Sequence, residues 1–124
     1  MLRTNSKKVI EAVKAYVIEN HETEGETFEA IAREILADVK RVNGYEVKRS
    51  RSYTWQQAFC DWSCGLPSLL DTCYHYNVSA VDLLGGWLEE TEEEKAKYTE
   101  QEAEKMIDYL IFRELSKVAF DVLY

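Results

Sequence analysis

Cys60, Cys64, Cys73 and His75 are four side chains of zinc-ligand type within sixteen positions. Two chemistries are open to them, metal binding and thiol nucleophily. Cys60 and Cys64 stand one helical turn apart, a spacing from which two thiolates can hold one ion. On a helix they would also point away from the stripe of Trp55, Ala58, Phe59 and Trp62, an odd place for core residues. Against zinc, Cys73 and His75 diverge by about 200° on a helix, and C-x3-C…C-x-H is not an established zinc spacing. As a nucleophile, Cys73 has His75 and Asp71 nearby in sequence, but neighbours along one helix seldom point at each other as a triad requires. No Gly-rich phosphate loop, nucleophile elbow or H-E-x-x-H motif appears. A zinc or thiol site around Cys60 and Cys64 is therefore the weakest functional reading. The leading expectation is a non-enzymatic protein with no catalytic residue, no metal and no cofactor.

A second constellation is basic and aromatic. Lys40, Arg41, Lys48, Arg49 and Arg51, against Glu46, leave four extra positive charges within twelve residues, with Tyr45, Tyr53 and Trp55 among them. Cations for phosphates and rings for unpaired bases are what a nucleic-acid binder needs. The candidate nucleic-acid contacts are Lys40, Arg41, Lys48, Arg49, Arg51 and Tyr53. The competing expectation is a connecting segment whose rings anchor it and whose bases answer acids elsewhere in the chain.

Charge weighs between these readings. The formal net charge is −8; residues 1–62 hold ten acids and ten bases, and residues 63–124 hold thirteen acids and five bases. The whole deficit lies in the second half, which should repel a polyanion. A helix-turn-helix layout over 68–88 meets the same objection: its second helix offers Ala80, Asp82, Leu83, Gly85 and Gly86 where base readout needs donors. The acidic run "EETEEE" instead presents Glu89, Glu90, Glu92, Glu93 and Glu94 as a surface for a basic partner. An acidic helical surface that binds another protein, in a regulatory or accessory role, is the leading reading. A nucleic-acid module over 40–55 is the alternative. The plainer account of the acidic run is a solvated helix face.

The elements that must position these residues are helices. One proline and five glycines in 124 residues leave few breaks, and apolar residues recur at helical spacing. Ser6 caps a first helix with Val9, Val13, Tyr16 and Val17 inward, to about Asn20. Thr27 caps a second with Phe28, Ile31, Ile35, Val39 and Val42 inward, and Asn43-Gly44 predicts its stop. Thr54 with Gln57 opens a helix through Cys64, and Pro67 another to about Tyr76. Ser79 with Asp82 caps a short helix to about Leu88, and Thr91 or Thr99 reopens the chain, Thr99 with Glu102 being the cleaner capping box. A last helix, about 100–123, carries Ala103, Met106, Ile107, Leu110, Ile111, Leu115, Val118 and Val122 on one side. The expected fold is all-α: one domain over 1–124, a compact bundle of five to seven helices with a long C-terminal helix. Glu114 falls on the apolar side of that helix and predicts an internal ion pair, with Arg33 and Arg51 as candidate partners.

No run approaches the roughly 18 apolar residues of a membrane span, and "MLRTNSKKVIEAVK" lacks the hydrophobic block of a signal peptide. An odd set of three cysteines suits free thiols in a reducing cytoplasm. The stretches "AYVIEN" at 15, "SYTWQQAF" at 52, "SCGLPSLL" at 63 and "MIDYLIFRELSKV" at 106 carry a resemblance. In them the chain resembles a family of uncharacterised small helical proteins of bacterial mobile elements: phages, plasmids and conjugative elements. The resemblance implies a bacterial accessory protein, cytoplasmic, acting on host or element machinery. It implies no ligand and no site residue.

Overall fold

The structure, a computed structural model, describes residues 6–20, 26–49, 52, 54, 57–58 and 79–123, excepting the side chains of 44–46, 48, 49, 120 and 123. Among the described residues every regular element longer than two residues is a helix: α1 (Lys7–Asn20), α2 (Phe28–Arg49), α3 (Ala80–Trp87), α4 (Glu92–Lys95) and α5 (Glu100–Leu123). The fold is all-α with a long C-terminal helix, as the apolar spacing predicts. The helices expected over 54–64 and 67–76 lie outside the described residues, apart from a fragment at 57–58.

Side-chain caps set the helix starts. Ser6 Oγ accepts the Val9 amide at 3.2 Å and Thr27 Oγ1 accepts that of Ala30 at 3.2 Å. Ser79 Oγ accepts from Asp82 at 3.3 Å. Thr91 and Thr99 each open a helix with a reciprocal box, to Glu94 and Glu102. Each box satisfies two backbone donors that a helix start leaves orphaned.

The bundle is organised around α5, which packs most extensively on α2, then on α3 and α1. Ala103, Ile107, Leu110, Ile111, Leu115 and Ala119 of α5 are buried against Val9, Val13 and Val17 of α1 and Leu84 of α3. Met106, Val118 and Val122 flank this line and are only partly covered. No helix among the described residues is long and apolar enough to cross a membrane.

Helix α2 departs from expectation in two linked ways. Its buried line is Phe28, Ile31, Ala32, Leu36, Val39 and Val47, so the inward face is turned towards Leu36; Ile35 is partly buried and Val42 is 52% exposed. The predicted stop at Asn43-Gly44 is also not a stop. Asn43 lies on the inward line, and its Nδ2 donates to the Ala58 carbonyl at 3.2 Å. The side chain that would cap a helix end is used to hold residues 57–58, and burial of Val47 four residues on carries the helix past Gly44. A mid-helix glycine costs about 1 kcal/mol, which burial of one valine side chain offsets.

Candidate functional site

The site grows from the corner where α3, α4 and α5 meet. Helix α3 is short and its N-terminus is held from a distance. The Glu100 carboxylate, at the start of α5, accepts the Ala80 amide at 2.9 Å, the Val81 amide at 3.3 Å and the Ser79 hydroxyl at 3.0 Å. Burial alone would raise the Glu100 pKa, but these three hydrogen bonds together outweigh it and hold the carboxyl below its ordinary value. The carboxylate also faces the positive end of the helix dipole.

The other end of α3 closes in a Schellman turn. The Glu90 amide donates to Gly85 O at 2.8 Å and the Glu89 amide to Gly86 O at 3.3 Å. Glu89 takes the left-handed position with φ 56°, where glycine is usual and another residue costs roughly 1–2 kcal/mol. Behind the turn, the aliphatic chain of Lys95 lies over Gly85, where a Cβ would come within 2.7 Å of it. Gly85 thus lets α4 approach α3. Helix α4 itself has no buried residue and is held by the Thr91–Glu94 box and a Lys95–Glu92 pair at 3.1 Å.

Between this corner and the start of α1 lies a groove of about 750 Å³, lined by Lys8, Trp87, Glu89, Glu90, Glu94 and Tyr98 among others. The Lys8 ammonium pairs with the Glu89 carboxylate across its rim, joining α1 to the α3 turn. Trp87 is fixed by an edge-on contact with Tyr16 of α1, with ring centres 5.7 Å apart. The Tyr98 hydroxyl donates to Glu90 Oε1 at 3.3 Å. Burial, and then the negative charge of Glu90, push the Tyr98 pKa above its ordinary value. Glu90 Oε2 is out of solvent contact and has no hydrogen-bond partner among the described residues. Glu94 is held below its ordinary value by the Thr91 amide first and the Thr91 hydroxyl second.

The structure thus brings the five acids of "EETEEE" together on one corner, in different employments. Glu89 is paired and Glu94 is a cap. Glu92 is exposed with Lys95 beside it, Glu93 is exposed, and Glu90 is turned partly inward. The residues that sequence reasoning missed are Lys8, Glu100, Trp87 and Tyr98. Lys8 meets its partner 81 positions away and Glu100 about 20 away, separations at which no local pattern gives a signal. Trp87 and Tyr98 had one: they bracket the acidic run.

The basic candidates do not form one described surface. Lys40 and Arg41 are exposed on α2, but Arg41 is engaged by Asp38 at 2.7 Å. Lys48 and Arg49 are the last residues of α2, a helix and not the connecting chain expected, and their side chains lie outside the described part. Arg51 and Tyr53 lie wholly outside it.

Glu114 is buried, as its position on α5 requires, and is answered by Lys117 at 2.9 Å, Arg113 at 3.3 Å and Lys14 of α1 at 3.9 Å. The expected partner Arg33 is turned elsewhere, to Glu29 at 3.1 Å and Asp121 at 3.6 Å.

Among the described residues no group of three or more His, Cys, Asp or Glu side chains could hold a metal; Cys60, Cys64, Cys73 and His75 lie outside them. Comparison with protein-family models, curated proteins and solved structures finds no match for this chain.

Proposed function

We propose that this chain is a non-enzymatic binding protein that offers its α4 corner to a basic macromolecular partner, most simply another protein. The observation that carries this is the character of α4: its three glutamates are exposed, while the Thr91–Glu94 box and the packing of Lys95 over Gly85 hold it in a defined shape. Residues 89–105 around it hold eight acids and three bases, most of the chain's charge surplus. A fixed surface element of one sign steers an oppositely charged partner and sets its orientation. The resemblance to small helical proteins of bacterial mobile elements would make the partner part of host or element machinery in the cytoplasm.

The test is affinity capture from a bacterial lysate at low and at physiological salt, comparing the wild-type chain with a Glu92→Lys, Glu93→Lys double variant. Both positions are exposed and outside the core, so the variant should fold. A basic protein retained by the wild type, released by salt and lost from the variant is the expected result. Equal capture by both proteins sinks the reading. Salt-sensitive retention of nucleic acid, lost when Lys40 and Arg41 are replaced, would transfer the function to residues 40–55.

A further inference from the structure

Charge summed over the second half of the chain hides where that charge lies. Residues 89–104 hold eight acids and two bases, while residues 105–124 hold three of each. The fold sorts those last six. Glu114 is buried and paired with Arg113 and Lys117. Asp121 is turned to Arg33 at 3.6 Å, and Asp108 lies about 140° round the helix from Arg113. Lys105, Tyr109, Arg113 and Lys117 recur at every fourth position, about 6 Å apart along one side of α5. Lys105 and Lys117 are exposed. Tyr109, at 56%, is the most exposed large apolar side chain among the described residues. An open ring with a cation one turn to either side is a stacking platform set between phosphate contacts. Glu114 also gathers charge here, holding Lys117 at 2.9 Å, Arg113 at 3.3 Å and Lys14 of α1 at 3.9 Å. Three cations on one carboxylate leave a local surplus of two positive charges. The acid-rich corner does not cancel it: Arg113 stands about 20 Å along the axis from Glu100, and at 0.1 M salt charges are screened beyond about 10 Å.

We propose that this face of α5 binds single-stranded nucleic acid without sequence preference. A nucleobase stacks on Tyr109, and phosphates meet Lys105, Arg113 and Lys117, with Lys14 at the edge. A single strand is preferred to a duplex because its nucleobases are open to the ring, whereas those of a duplex already stack on one another. It is preferred to an acidic peptide because carboxylates would use the cations and leave the ring idle. The surface is separate from the α4 corner and from residues 40–55, and it stands or falls without either.

The experiment is fluorescence anisotropy of a labelled mixed-sequence single-stranded DNA of about 20 nucleotides, with its duplex alongside, across a salt series. Saturable binding that is tighter to the single strand is expected. Three phosphate contacts predict a slope of log affinity against log salt of about −2, falling to about −0.7 in the Lys105→Gln, Lys117→Gln variant. Tyr109→Ala should weaken binding about tenfold, the worth of one stacked base. Tyr109→Phe, which keeps the ring, should bind as the wild type does. All three positions are exposed, and circular dichroism confirms that each variant is folded. No saturable binding by the wild type, or affinity unchanged in Tyr109→Ala, would overturn the proposal. So would binding lost only in a Lys40→Gln, Arg41→Gln variant, which places the contact on α2. Competition by poly-glutamate as strong as by the DNA, and equal in Tyr109→Ala, would assign the face to an acidic protein segment instead.

Discussion

Glu114 is a carboxylate with no side-chain exposure, while the cations around it, Lys14, Arg113 and Lys117, are 40%, 18% and 53% exposed. Only one partner of each pair is fully taken from water, so the desolvation penalty falls chiefly on the acid. Removing the acid should therefore matter less than leaving a hole. Glu114→Ala is expected to lower stability by about 2–3 kcal/mol, largely through the cavity, and Glu114→Met, which refills it, by under about 1 kcal/mol. Urea unfolding of the two variants measures the difference, and equal losses would contradict it. A double-mutant cycle of Glu114 with Lys117 should give a coupling of about 1 kcal/mol, and one with Arg33 less than about 0.3 kcal/mol. That Glu114 turns inward was legible in its spacing from Ile107, Leu110, Ile111 and Val118. Of its partners, Lys117 stands three residues on, a pairing that helix spacing offers, but Lys14 is brought to it only by the docking of α1 on α5.

At the scale of the element, α2 shows how a local signal is overruled. Asn-Gly ends helices because both residues adopt the left-handed backbone cheaply. Here the asparagine amide has a longer-range use, and the valine beyond it has a place in the core. The Asn43→Ala variant separates the terms. Alanine improves α2 by about 0.5 kcal/mol, but loses the bond to Ala58 O and leaves that carbonyl without its donor, about 1–2 kcal/mol. A net loss of roughly 1 kcal/mol is expected. Hydrogen exchange should show where it falls: the Ala58 amide, bonded to Thr54 O at 3.0 Å, should exchange faster, with the amides of α2 before Asn43 unchanged. Unchanged protection at Ala58 would mean that the bond holds nothing. The starts of the helices, by contrast, were legible from Ser6, Thr27, Ser79 and Thr99, because a cap is a contact within three residues; Thr91 stood only as an alternative to Thr99, and the chain uses both. The groove was not legible, since it joins residue 8 to residues 87–98 and depends on how α1 meets α3.

For the whole molecule, the charge surplus and the hydrogen-bonded carboxylates act on stability in opposite directions, and pH separates them. At pH 7 the chain carries a formal −8, and its pI is about 4.8. Lowering pH from 7 towards 5 removes negative charge and relieves self-repulsion, so stability should rise. Below that the sign changes. The folded pKa of Glu100 lies under the ordinary 4.5, so its contribution is present above that value and is lost as pH falls through the folded pKa. Glu94 adds to the same limb. On the alkaline side, burial raises Tyr16 and, with Glu90, Tyr98 above 10.0. The unfolded chain then ionises first, and stability falls as pH rises from 10 through the folded values. The expected curve, from urea midpoints at low salt, has its maximum at about pH 5–6. Salt at about 0.2 M should raise the pH 7 value towards that maximum by screening. Glu100→Gln should lower stability at pH 7 and flatten the acid limb, because the group that titrates there is gone. A maximum at pH 8 or above in low salt would show that self-repulsion is not what the acidic half contributes. It would also remove the physical ground for treating that half as charge held in readiness for a basic partner.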